Sequence, residues 1–381
     1  MEHTQKHIII VAGEASGDLH AAHLVKKIKE LNPSFTFSGL GGPKMAECGV
    51  ELYQDLTKFA VVGFSEVLRH YGVFYRAFHL ILDKIKKTQP VAVILVDYPG
   101  FNLRLAKKLK KYKTKVIYYI SPQVWAWKKN RVYEVKKYID KMLVLFPFEK
   151  TFYQNFGVDA TFVGHPLLDV IKVTAPKSEF LEKAGLSSDK LTIGLLPGSR
   201  EKEIERILPS MMDACQILNK KFPAIQFMLM KAPTIKDELI EPFLKTTSVN
   251  ITLVEDNTYN AVNACDLCMV ASGTATLETA ILGKPMVIIY KTSLTTWGLA
   301  KTFIKIPYIG LVNVVAGKKI VPECIQFDAT GEKIAGEIKN ILTDETKIAQ
   351  IKLELGRVKN ALGQANSINR AAQEVLSTLI E

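Results

Sequence analysis

The chain lacks any apolar run approaching the roughly 18 residues that a membrane-spanning helix needs. Its opening stretch, MEHTQKHIIIVAGEASGD, has a short apolar core and no small-residue cleavage pattern, which argues against a secretory signal. Cysteine is scarce and odd in number, five scattered along 381 residues, so a disulfide scaffold is excluded and a reducing, cytoplasmic setting is expected. Cys265-x-x-Cys268 has no second pair and no nearby histidine, and it runs into an apolar segment, which favours packing over metal or redox use. There is no internal repeat and no low-complexity tract. G-x-G-x-x-G is missing, which disfavours a nicotinamide dehydrogenase, and no Asp-x-Asp pair offers itself to a metal ion.

The length suggests two or three domains with real cores. A hydrophobic fraction of 48% with 23% charged residues is that of a soluble globular protein. The formal charge of +12 is concentrated in one place: from Arg104 to Lys141 there are 13 Lys and Arg against Glu134 and Asp140. Such a run is either a solvated helix face or a patch for an anionic partner, whether nucleic acid, lipid headgroups or a phosphorylated substrate.

Short apolar runs alternate with helical patterns from end to end. Strands are predicted at 7–12, 35–38, 91–96, 115–120, 142–146 and 160–163, then at 191–196, 226–230, 251–254, 267–270 and 286–289. Helices over 19–31, 102–111, 204–221 and 276–282 separate them. Alternation of this kind predicts α/β architecture with parallel sheets. The irregular stretch 165–180 divides the two strand series, giving two Rossmann-like domains, 1–168 and 169–360, facing a central cleft. A terminal helix, 361–381, can pack back on the first domain. One segment departs from the pattern: 58–87 carries Val62, Phe64, Val67, Leu68 and Phe74 but is interrupted by Arg69 and Arg76. It reads as core packing or as an in-plane lipid contact.

Four junctions carry chemistry. In LTIGLLPGSREKEIERILPS a strand hands over to a helix through Gly198, Ser199 and Arg200, which collects free N–H groups, a helix N-terminus and a guanidinium fork suited to phosphate. In DLCMVASGTATLETA the turn Ser272-Gly273-Thr274 opens another helix, and Glu278 stands one turn in, where a carboxylate can accept both hydroxyls of a ribose. Together they fit a nucleoside diphosphate. In VAVILVDYPGFN, Asp97 ends an apolar strand, where a carboxylate can act as general base or cap the next helix. In GEASGD, Gly13, Ser16, Gly17 and Asp18 form a tight strand-to-helix turn, and Gln123 and Trp125 lie in SPQVWAW beside the cationic run. Trp125 and Trp127, on alternate positions, leave base stacking, sugar or acyl contact and core packing all open. His165 in FVGHP sits at the domain junction, where a hydrogen-bonded hinge role is expected ahead of catalysis.

GEASGD, VDYPGFN, SPQVWAW, FPFEK, VGHP, LLPGSR, ASGTATLE and NVVAG occur in the order found in the lipid-A-disaccharide synthase family, which the chain resembles nearly end to end. The resemblance implies a GT-B fold, glycosyltransferase family 19, and an inverting transfer from UDP-2,3-diacylglucosamine to 2,3-diacylglucosamine 1-phosphate. It implies that Arg200 and Glu278 hold UDP, that Ser272, Gly273 and Thr274 cradle its phosphates with Asn313 near them, and that Asp97 is the catalytic carboxylate. Relatives commonly carry a second acid where this chain has Gly100, which leaves Asp97 the only local candidate base. The expected acceptor-side loop comprises Gly13, Ser16, Gly17, Asp18, Gln123 and Trp125. Segment 58–87 and the basic run would meet the inner-membrane phospholipid surface from the cytoplasmic side. No cofactor, metal or nucleic acid is expected, and a homodimer stays open. The rival readings are a UDP-sugar 2-epimerase of the same fold and a non-enzymatic nucleic-acid binder.

Overall fold

The computed structural model describes residues 6–59, 71–112, 114–125, 130–303 and 307–380, with the side chains of residues 71 and 299–303 set aside. Thus Val62, Phe64, Val67 and Leu68, Trp127, and Lys113, Lys128 and Lys129 of the basic run lie outside the described residues. Two compact units emerge. One runs to Asp169 and takes the chain back from Leu362 onward; the other is Val170–Ala361.

The first unit is built on strands β1 (Lys6–Ala12), β2 (Phe35–Gly41), β3 (Glu51–Asp55), β4 (Ala92–Val96), β5 (Lys115–Tyr119), β6 (Lys141–Val144) and β7 (Ala160–Phe162), ordered β3-β2-β1-β4-β5-β6-β7. Every pairing is parallel. The second has β8 (Thr192–Leu196), β9 (Gln226–Met230), β10 (Ile251–Val254), β11 (Leu267–Ala271), β12 (Met286–Tyr290) and β13 (Glu323–Ile325), ordered β10-β9-β8-β11-β12-β13 and again wholly parallel. Central strands such as β4 and β8 are buried throughout, which is why they read as unbroken apolar runs.

Strand order reverses beside β1 and β8, the first strand of each unit. Ala12 pairs with Val96, so the loops after β1 and β4 leave the sheet side by side. Leu196 pairs with Val270, which does the same for the loops after β8 and β11. These are the topological switch points where open α/β sheets bind ligands. All four chemistry-bearing junctions sit at one or the other.

Two strands went unforeseen in the sequence, β3 and β13. The first is the half-exposed polar edge ELYQD and the second is three residues long, so neither carries an apolar signature. The helix Tyr71–Thr88 gives a correction. Phe74, expected at a lipid surface, lies on the stripe of Ala77, Phe78, Ile81, Leu82 and Ile85, which helical spacing turns onto the sheet. Its ring packs 6.1 Å from that of Tyr98.

The terminal helix Ser367–Thr378 packs on the helix Ala15–Leu31 of the first unit. Asp169 fixes its start, accepting hydrogen bonds from the Asn366 N–H (2.5 Å), the Ser367 Oγ (2.6 Å) and the Ile368 N–H (3.2 Å). Nearby, the Nδ1 of His165 accepts from the Leu167 N–H at 3.2 Å, and burial, with the charge of His20 second, pushes its pKa to about 3. His165 is therefore a neutral structural histidine. Cys265 and Cys268 are buried against Gly194, consistent with packing. Among the described residues no helix is long and apolar enough to cross a membrane.

Candidate functional site

In the second unit, a cavity of about 740 Å³ opens at the ends of β8 and β11. It is lined by Gly198, Ser199 and Arg200 from one turn, by Ser272, Gly273 and Thr274 from the other, and by Glu278. The first turn needs its glycine: Gly198 has φ of +118°, and a β-carbon there would collide with the Glu203 carboxylate. The Thr234 hydroxyl donates to the Ser199 carbonyl at 2.7 Å and braces the loop before the helix Glu201–Lys221 begins. In the second turn the Ser272 hydroxyl donates to the Ile309 carbonyl at 3.1 Å, and Gly273, at φ of +151°, caps the helix Thr274–Ile281 with open space where a side chain would be.

Glu278 accepts a long hydrogen bond, 3.5 Å, from the Tyr259 hydroxyl, and burial raises its pKa above the usual carboxylate value. Tyr259 also lines the cavity; burial first and the Glu278 charge second raise its own pKa to about 12, so it stays a donor. Tyr259 carries no sequence signal, because Thr258–Ala264 is a short helix without a motif.

Asn313 does not belong to this group. It is fully buried, its amide donates to the Val321 carbonyl (3.0 Å) and the Glu323 carboxylate (2.9 Å), and its oxygen accepts from the Ile320 and Val321 N–H groups. All its polar capacity is spent on holding the segment before β13, leaving nothing for a ligand. The placement beside the phosphates expected from the motif is corrected accordingly.

In the first unit, Asp97 follows β4 with φ of +45°, and Tyr98 follows with +49°. This left-handed pair is held from below: the Asp97 carbonyl accepts from the Asn102 amide (2.8 Å) and the Tyr118 hydroxyl (2.5 Å), and its N–H donates to the Tyr119 carbonyl (3.0 Å). The Tyr98 ring lies where a β-carbon on Gly13 would be, so Gly13 is needed for close packing of the two loops. Burial, then the charge of Glu14, push the Asp97 pKa from 3.8 to about 6, against a smaller opposing backbone hydrogen bond from Tyr98. Glu14, in the neighbouring loop, is a carboxylate near enough to raise the Asp97 pKa, in a chain that has Gly100 where relatives commonly carry a second acid.

The acceptor-side residues divide. Ser16 and Gln123 are exposed, whereas Gly17 packs beside Ala12 and Val96. Asp18 needs correction: it is 2% exposed and its carboxylate accepts from the N–H groups of Gly42, Lys44 and Met45. It anchors the turn after β2 and is not free for a substrate. Trp125 donates from Nε1 to Glu149 at 3.1 Å and packs edge-on against Phe148.

Glu149, in FPFEK, was also missed. One carboxylate oxygen accepts from the Ser121 hydroxyl (2.6 Å) as well as from Trp125; the other accepts from the Phe146 N–H (3.2 Å). Burial drives its pKa from 4.5 to about 7 even against those donors. A carboxyl whose folded pKa is raised contributes stability fully below pH 4.5, and that contribution is lost as pH rises through about 7. Glu149→Gln should therefore flatten the stability–pH curve between those values relative to the unsubstituted protein, as read by urea unfolding at a series of pH values. Parallel curves would refute this.

The folds of both units match the nucleotide-sugar enzymes of GT-B type. A putative UDP-N-acetylglucosamine 2-epimerase from Listeria monocytogenes is similar over 99% of this chain and 96% of its own (TM-score 0.63, 13% identity). The calicheamicin glycosyltransferase CalG4 is similar over 99% of both chains (TM-score 0.63, 15% identity). Those likenesses establish the fold and leave epimerase and transferase level. Sequence decides between them. The family model for lipid-A-disaccharide synthetase matches residues 8–378. The lipid-A-disaccharide synthase of Geobacter sulfurreducens is 44% identical over 378 residues, 99% of this chain and 98% of its own. Lipid-A-disaccharide synthase 1 of Legionella pneumophila strain Paris is 42% identical over 361 residues, 94% of each chain. The chain belongs to the lipid-A-disaccharide synthetase family: it is a glycosyltransferase of lipid A synthesis, and the epimerase reading falls away.

Proposed function

We propose that the enzyme transfers the diacylglucosamine of UDP-2,3-diacylglucosamine to 2,3-diacylglucosamine 1-phosphate with inversion, releasing UDP. The observation that carries this is the cavity at the ends of β8 and β11, where two glycine-containing strand-to-helix turns and the partly buried Glu278 carboxylate line one space. Glu278 takes the ribose hydroxyls, the Ser272–Thr274 turn the phosphates, and Gly198 to Arg200 the negative charge that grows on the departing diphosphate. A pKa of about 6 keeps Asp97 mostly ionised at neutral pH yet close enough to it to accept a proton as the acceptor hydroxyl attacks. Inversion needs one such base and no covalent intermediate.

The acyl chains and acceptor phosphate call for an apolar and a cationic surface, and segment 58–70 with the exposed Arg104, Lys107, Lys108, Lys136 and Lys137 has that composition. Contact with the cytoplasmic face of the inner membrane is part of the proposal. The test is UDP release from UDP-2,3-diacylglucosamine in detergent micelles with and without the acceptor. Release that requires the acceptor and yields a β-1,6 disaccharide is the expected result. Acceptor-independent release, or none despite UDP binding, would overturn it.

A further inference from the structure

The anion seat after β8 is already taken. Glu203, one turn into the helix Glu201–Lys221, folds back over its own N-terminus. One carboxylate oxygen accepts from the Ser199 N–H at 3.1 Å, and the other meets the Arg200 Nη1 at 3.0 Å. Gly198 leaves room for it, since any β-carbon there would collide with the Glu203 carboxylate. A carboxylate on the first turn thus holds the N–H, the guanidinium edge and the favourable helix-end potential that make the turn a phosphate site.

We infer that Glu203 is a built-in competitor for the donor diphosphate, an internal anion that must swing off Ser199 and Arg200 for UDP to seat and that returns to them as UDP leaves. The inference rests on the UDP reading of this cavity. Its physical basis is that one N–H and one guanidinium edge cannot serve two anions, and a carboxylate left within contact of a phosphoryl oxygen repels it. The exchange is easy in this setting. The Arg200 and Glu203 side chains are 56% and 28% exposed, so their ion pair is weak and the freed carboxylate has water to enter. Glu203 therefore weakens product binding, because the Arg200–Glu203 contact must break before the guanidinium can reach the diphosphate.

The opposite role is equally concrete: if Glu203 stays in place when UDP is bound and steers Arg200, removing it weakens binding. Glu203→Gln separates the two, because it keeps the shape of an exposed-side helix residue and drops the charge. Titration calorimetry of UDP, and separately of inorganic pyrophosphate, into both proteins at low ionic strength reads the difference. The competitor role predicts that Glu203→Gln binds both ligands about two- to fivefold tighter, with stronger product inhibition by UDP. Unchanged or weaker binding of both ligands overturns it. If neither protein binds UDP but pyrophosphate tightens as predicted, the UDP reading fails and the competitor role stands. If neither ligand binds either protein, the seat itself is wrongly assigned. Glu203→Ala serves as a second variant; tightening there as well excludes an effect of the new amide.

Discussion

Replacing Asp97 by Asn should lower turnover by about 10²- to 10⁴-fold while leaving UDP affinity unchanged. Asn is the informative substitution because the residue sits at φ of +45°, a left-handed conformation that Asn tolerates and Ala resists. A loss of activity in Asp97→Ala would mix lost chemistry with a shifted loop; Asp97→Asn keeps the backbone and its bonds to Asn102 and Tyr118. The pH profile provides a second readout. A base works only when ionised, so kcat should fall as pH drops through about 6, the value to which burial and Glu14 raise this carboxyl. Removing the neighbouring charge in Glu14→Gln should move that limb toward the ordinary 3.8 without abolishing activity. Near-normal turnover in Asp97→Asn, or an acid limb that ignores Glu14, would remove Asp97 as the base.

How much of this was legible in the sequence depends on what kind of fact is asked for. The strand ending at Asp97 is visible because β4 is buried on both faces and so is unbroken Ala92–Val96; the same holds for β8 and β11. Turn chemistry then places Gly198, Ser199 and Arg200, and Ser272 to Thr274, at strand ends. What the sequence does not carry is the partner of each side chain. Asp18 and Asn313 stand in motifs as plausible ligands, yet three backbone N–H groups claim the first and four groups claim the second. Asp18 satisfies a loop 24–27 residues further along the chain, and Asn313 one only 7–10 residues on, whose backbone groups carry no side-chain signal to pair it with. Glu14 acts on Asp97 only because β1 and β4 are neighbours in the sheet, an adjacency set by strand order across some eighty intervening residues. Glu149 is hidden for the same reason: Ser121 and Trp125 reach it from a different loop. Phe74 was misplaced because aromatic content alone cannot distinguish a face that meets lipid from one that meets β-sheet; the helical register with Ile81 and Ile85 does.

Arg200 should prove the costliest single loss for donor binding. Arg200→Lys keeps the charge but removes the planar fork, and UDP affinity should fall about tenfold. Arg200→Ala removes both and should cost about 10- to 100-fold, the worth of a hydrogen-bonded charge contact of about 1.5–3 kcal/mol. The size of that second loss depends on Glu203. In the unsubstituted protein the guanidinium leaves Glu203, 3.0 Å away, to reach the diphosphate, so what Arg200 contributes to binding is its contact with UDP less the ion pair it abandons. In a Glu203→Gln background there is no pair to abandon, and Arg200→Ala should cost more, by the same factor that Glu203→Gln alone gains through the lost pair. A double-mutant cycle on UDP affinity measures this coupling. Additive losses would mean that Arg200 and Glu203 are not exchanging partners, and would leave Arg200 a fixed ligand whose neighbour is a spectator. A larger loss in the Gln background requires the swap, since an Arg200 that kept its contact with Glu203 throughout would lose less when that contact was already gone.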